Sequence, residues 1–243
     1  MVTYPQGYQP AGPGFLDRLG EANLPVQGLA SLLSLPTLAR APRGQGQPVL
    51  LLPGFGAGDG SLYALRGYLR GQGFDADSWG LGANDGSVEA LVDAAAVKLE
   101  ARFKAQGAPL SLVGWSLGGV IARELTRLYP EQVAQVITLG TPIVGGPKYT
   151  SVAPLFTTRY GDLDELETEI DRRNRLGLTR PVTSIYSRMD GVVPWHTSVD
   201  RYNGHAQNYE VTSTHLGLGF HPGVYAIVAR QLARPVESGA PLQ

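Results

Sequence analysis

The sequence contains no cysteine. Disulfides, a thiol nucleophile and thiolate metal sites are therefore excluded, while every compartment remains open. Charge is also sparse. Asp, Glu, Lys and Arg make up 17% of the 243 residues, and the formal net charge is −1. With no basic stripe to meet a phosphate backbone, no nucleic-acid partner is expected. Apolar runs are short, and none approaches the length that crosses a bilayer, so no transmembrane segment is expected. The start, Met1-Val2-Thr3-Tyr4-Pro5-Gln6-Gly7, lacks the basic region and apolar core of a signal peptide, which makes the cytoplasm the default location. Internal repeats and low-complexity segments are missing as well.

What is present reads as strands alternating with helices, in a chain long enough for one α/β domain with a substantial core. Residues 1–47 are rich in proline and glycine. They read as a loosely ordered leader with a short helix near Leu29 to Leu38, followed by a linker, Pro42 to Pro48. Residues 48–243 carry the alternation. Val49-Leu50-Leu51-Leu52 is a continuous apolar run of the kind buried in parallel sheets. A helix is expected from Ser61 to Arg70, a strand around Phe74 to Trp79, and then a helix whose face carries Val88, Leu91, Val92, Ala95, Leu99 and Phe103. Ser87 can cap its start and Gly107 its end. Later strands are expected at Leu110 to Val113, Val133 to Leu139, Val182 to Ser187 and Asn208 to Thr212, with a final helix opened by Pro222. The alternation pauses from about 143 to 180, long enough to suggest a functional insertion. There Asp162 and Glu165 form a capping box, and Leu163, Leu166 and Ile170 an apolar stripe. The charges of that helix are read as a solvated face.

Gly114-Trp115-Ser116-Leu117-Gly118 lies between an apolar strand and a helical stretch. A G-x-S-x-G in that setting is a nucleophile elbow, a turn so sharp that its serine is strained and its neighbours must be small. Gly119 is expected to let the following helix approach the sheet. A serine hydroxyl attacks well only when a base, usually a histidine held by a carboxylate, takes its proton. Four histidines compete, and His215 is favoured because it follows the last strand at the edge where Ser116 emerges. His221, just before Pro222, is the second candidate, ahead of His196 and His205. For the acid, Asp190 follows the strand ending Tyr186-Ser187 and is favoured over an ordinary Asp-Gly turn reading. Asp200 is held in reserve. Oxyanion donors are expected from the backbone N–H groups of Leu117 and of Phe55, in Pro53-Gly54-Phe55-Gly56. That glycine-rich loop does not read as a nucleotide site, since neither register places a third glycine where one is needed and no Gly-Lys-Ser/Thr follows.

From about Pro48 to Leu232 the chain resembles the serine α/β-hydrolase superfamily, and within it the small bacterial lipases and esterases. Tyr186-Ser187-Arg188-Met189-Asp190 and His215-Leu216-Gly217-Leu218 are similar to the acid and base segments of the compact class 2 lipases. Pro53-Gly54-Phe55-Gly56 is similar to that family's His-Gly-x-Gly oxyanion loop, with proline in place of the histidine. The resemblance implies an α/β-hydrolase fold with about six mainly parallel strands, helices on both faces and a small cap at 143–180. It also implies an esterase or lipase working through Ser116, His215 and Asp190 without metal or organic cofactor. A small-molecule or lipid ester would be the substrate, with contact to lipid interfaces. The same residues would serve an acyltransferase or a thioesterase, and a non-catalytic binding module on this fold is the alternative from another class.

Overall fold

The apolar run at the start of the alternation forms a wholly buried strand, β1 (Pro48–Leu52). The computed structural model describes residues 2, 4, 10–12, 38 and 41–235, so most of the expected leader, including the helix before Leu38, lies outside the described residues. The other strands are β2 (Asp75–Ser78), β3 (Leu110–Trp115), β4 (Val133–Leu139), β5 (Val182–Tyr186) and β6 (Gln207–Glu210). They form one sheet in the order β2-β1-β3-β4-β5-β6. Every pairing is parallel. The central strands β1 and β3 are buried along their whole length. The edges are polar: Asp75 and Asp77 of β2 pair with Arg102, Lys98 and Arg70. Charge on an edge strand discourages pairing with another chain.

Helices α1 (Tyr63–Gly71), α2 (Val88–Gln106), α3 (Leu117–Leu128) and, at the end, α7 (Pro222–Leu232) cover the two faces. Alternation along β1 decides the sides. Val49 and Leu51 point to the core shared with Leu65 and Leu69 of α1 and Val224 and Val228 of α7. Leu50 and Leu52 point to the core shared with Val92, Ala95 and Leu99 of α2 and Ile121 and Leu125 of α3. The mainly parallel sheet with helices on both sides is thus present as expected. Two local expectations need correction. A 3-10 turn over Asp59–Leu62 takes the first residues assigned to α1, with Ser61 N–H bonded to Gly58 O at 3.0 Å. Ser87 stands at the start of α2, but its hydroxyl donates to Asp85 Oδ1 at 2.5 Å instead of capping the helix.

Between β4 and β5 the chain builds α4 (Ala153–Tyr160) and α5 (Leu163–Arg175). Asp162 caps α5, its carboxylate accepting from Asp164 N–H at 2.7 Å. The charge of α5 is not merely a solvated face. Its most buried positions are polar, Glu167, Asp171 and Asn174, spaced along one side of the helix. Glu167 meets Lys148, Tyr4 and Tyr149, the last at 2.6 Å, and Asp171 accepts from Tyr202 at 2.9 Å. Asn174 accepts from Arg123 Nη2 at 3.3 Å and donates to Ile143 O at 2.8 Å. Arg123, on α3, is itself buried against Asp200 at 2.6 Å. Partners distant in sequence make this polar side the anchored one and leave Leu166 and Ile170 to face a cavity. After β5 come the short α6 (Trp195–Ser198) and a 3-10 turn over Leu216–Phe220.

Candidate active site

Sheet order fixes where a site can form. The chain steps outward from β1 to β2 and then returns to the other side of β1 for β3. Loops leaving the carboxyl ends of β1 and β3 therefore diverge around a crevice, the usual ligand position in open parallel sheets. The β1 loop is Pro53-Gly54-Phe55-Gly56, and the β3 loop is the elbow.

Ser116 lies between β3 and α3 with φ 53° and ψ −121°. It is the one non-glycine residue with positive φ among the described residues. A strained serine of this kind costs on the order of 1–3 kcal/mol, which the surrounding fold must over-determine. Two bonds hold the turn: Ser116 N–H donates to Leu139 O at 2.8 Å, and Thr141 Oγ1 donates to Ser116 O at 3.0 Å. A Cβ on Gly114 would overlap Gly118 O and Gly119 Cα, and one on Gly118 would overlap the carbonyls of Leu52 and Pro53. Gly118 thus makes the close approach to β1, while Gly119, as expected, lets the helix lie against the sheet, at Gly114 of β3 and beside Thr141. Leu117 opens α3, so its N–H belongs to the unpaired, positive end of a helix.

Asp190 and His215 leave the ends of β5 and β6 and meet in the interior. His215 Nδ1 lies 2.7 Å from Asp190 Oδ2, with the two side chains 5% and 1% exposed. Asp190 Oδ1 accepts from the N–H groups of Val192 and Val193 at 2.9 and 2.7 Å, which fixes the carboxylate plane. The imidazole lies beside Trp115, ring centroids 6.0 Å apart, next to the serine in sequence. Gly140, which follows the Leu139 carbonyl that holds Ser116, borders both Asp190 Oδ2 and His215 Nδ1. Ser116 and the Asp190–His215 pair therefore flank the same residues at the end of β4.

The rival residues have other occupations. His221 Nδ1 accepts from Gly223 N–H at 3.1 Å and caps α7, and burial lowers its pKa. His205 Nε2 bonds Arg180 O at 3.1 Å. His196 stacks on Trp195, with its pKa lowered by burial and then by Arg201. Asp200 is committed to Arg123. Burial alone would raise its pKa, but the Arg123 charge and hydrogen bonds from Arg123 and Asn203 hold it below the usual carboxylate value.

A cavity of about 160 Å³ opens between α3 and the 143–180 segment. Its wall includes Leu117, Val120, Ile143, Phe156, Leu166 and Ile170. Phe156 packs on Phe55 with centroids 5.1 Å apart. Leu155, its neighbour in sequence, is 58% exposed. Asn84 and Arg123, both buried and both near the crevice, escaped the sequence reading because neither sits in a recognisable motif.

No protein-family model matches the chain, and no curated protein matches its sequence. Solved structures do. An α/β-hydrolase enzyme, MGS-MChE2, from a lagoon-sediment metagenome (Mar Chica, Morocco) is 21% identical over 78% of this chain and 91% of its own, with a TM-score of 0.54. The mature lipase BlEst2 of Bacillus licheniformis is 16% identical, covering 79% and 94%, with a TM-score of 0.57. The fold is that of the α/β-hydrolases. A putative non-heme bromoperoxidase of Mycobacterium tuberculosis, BpoC, shares it at 19% identity over 78% and 92%, with a TM-score of 0.55. Among the described residues of this α/β-hydrolase-fold chain, no helix is long and apolar enough to cross a membrane.

Proposed function

We propose that the protein is a serine carboxylester hydrolase of the esterase or lipase type. The observation that carries this reading is the buried Asp190–His215 contact at 2.7 Å, set beside a strained elbow serine. Ser116 Oγ attacks the ester carbonyl carbon while His215 Nε2 takes its proton. Asp190 keeps the imidazole in the tautomer with hydrogen on Nδ1 and stabilises the imidazolium that forms. The N–H groups of Phe55 and Leu117 receive the oxyanion. His215 then protonates the departing alcohol, leaving an acyl-enzyme. Water, activated by the same base, attacks the acyl carbon, and the acid leaves as the serine is restored.

Leu117 links this chemistry to the cavity, which is read here as the seat of the acyl chain. A dry cavity of roughly 150 Å³ holds a molecule the size of benzene. The volume here therefore suits a short or medium chain. Hydrolysis of p-nitrophenyl esters from acetate to decanoate, with Ser116→Ala as control, tests the reading.

Phe156→Ala is expected to lengthen the preferred chain. Removing one wall should raise the decanoate-to-butanoate ratio of kcat/KM by about tenfold, since each methylene accommodated in a pocket is worth about 10-fold or more in discrimination. Leu155→Ala, on the exposed neighbour, should leave the profile unchanged. A uniform change of rate across chain lengths in a folded Phe156→Ala protein would contradict the assignment.

A further inference from the structure

The loop that supplies Phe55 N–H begins with Pro53, which has neither an N–H to donate nor a polar side chain to brace the turn. The bracing comes from another segment. Asn84, in the connection between β2 and α2, is completely buried, and three of its four polar groups bond the loop. Its Nδ2 donates to Pro53 O at 2.9 Å, and its Oδ1 accepts from Gly86 N–H at 3.2 Å. Its backbone carbonyl accepts from Gly56 N–H at 2.7 Å, and its own N–H donates to Ala57 O at 2.9 Å. Both bonds fall immediately after Phe55, which pairs with Asn84 as an isolated parallel bridge. Gly86 completes the fit, because a Cβ there would lie 2.9 Å from the Phe55 ring.

We propose that Asn84 is a positioning residue for the ester-hydrolysing site, holding the Pro53–Gly54–Phe55 backbone so that Phe55 N–H points at the oxyanion. The inference rests on the function proposed above. Its physical basis is the position of the Pro53 carbonyl. That oxygen belongs to a short piece of chain pressed against the elbow: a Cβ on Gly54 would lie 3.2 Å from Ser116 Cβ and 3.3 Å from Trp115 O. Turning the Pro53–Gly54 peptide would therefore swing the next N–H relative to the nucleophile. Only a side chain offering both a donor and an acceptor on one short plane satisfies Pro53 O and Gly86 N–H together. Aspartate offers no donor and would set a charge against the carbonyl. The far end of the segment is tied to α4, where the Tyr160 hydroxyl donates to Gly86 O at 2.5 Å and accepts from Val88 N–H at 3.1 Å.

The role separates from plain structure by what it weakens. Ground-state binding in the cavity should survive, and stabilisation of the tetrahedral species should not. Asn84→Ala and Asn84→Asp are each expected to lower kcat on p-nitrophenyl butanoate by about tenfold to a hundredfold, short of the roughly 10²–10³ that outright loss of one oxyanion donor costs because the Phe55 N–H is misaimed and not removed, with KM within about threefold. A trifluoromethyl ketone inhibitor supplies the second readout. Ser116 Oγ adds to its carbonyl carbon as the proton passes to His215, giving a tetrahedral oxyanion, so its affinity should fall by the same factor as kcat/KM. Unchanged kcat and inhibitor affinity in folded variants would overturn the proposal. So would loss of native circular dichroism in both variants, which would assign Asn84 to the fold alone. A wild-type chain that neither hydrolyses the ester nor binds the ketone would instead defeat the underlying reading, and this one with it.

Discussion

His215→Ala is expected to abolish ester hydrolysis, lowering kcat by at least about a thousandfold and toward about 10⁶-fold, the range seen when a triad base is removed. The other three histidines provide the contrast. His221→Ala removes the cap that accepts Gly223 N–H, so it should destabilise α7 by about 1 kcal/mol while leaving kcat near the wild-type value. His205→Ala and His196→Ala should also turn over normally, since their rings are engaged by Arg180 O and Trp195. The check is kcat for each variant, with circular dichroism to establish folding. A dead His221→Ala beside an active His215→Ala would overturn the assignment of the base.

Asp190→Asn should retain the fold and lose about 10⁴-fold in kcat, the cost of holding the base in the wrong tautomer. The asparagine oxygen can still accept from Val192 and Val193 N–H, so the loop keeps its bonds. The amide nitrogen then faces His215 Nδ1 and makes it an acceptor. The imidazole proton moves to Nε2, which can no longer take a proton from the serine. Thermal stability and turnover measured on the same preparation separate the two effects. Near-native turnover would contradict the role. Asp200 would offer no ready replacement, because its carboxylate is bound to Arg123 and Asn203.

Elements with a local cause were legible in the sequence. The central strands announce themselves as unbroken apolar runs, and β4 spans Val133–Leu139 as read. Pro222 opens α7, and Gly107 ends α2 in the left-handed conformation. The elbow was legible because its geometry needs small residues at fixed spacing around Ser116, and each of those needs is local. The corrections at Ser61 and Ser87 involve neighbours two or three residues away, but the larger misses depend on partners far along the chain. Nothing around Glu167 or Asp171 says that Lys148, Tyr149 and Tyr202 will cover them, so α5 read as solvated where it is anchored. Arg123 falls on the buried side of α3 and looks misplaced until Asp200 is brought beside it. Asn84 follows a tryptophan-glycine turn with no periodicity at all. Its role depends on contact with Pro53, on a loop that only the parallel pairing of β1 and β2 brings within reach.

Covalent capture of the nucleophile tests the central claim most directly. A p-nitrophenyl phosphonate ester should react with the wild-type chain so that Ser116 Oγ displaces p-nitrophenolate. One equivalent should be released and one phosphonyl group retained per chain, located by peptide mapping at Ser116. The Ser116→Ala protein should gain no mass, and His215→Ala should label slowly, for want of a base. Labelling at a different residue, or a folded wild-type protein that takes up no phosphonyl group, would contradict the account.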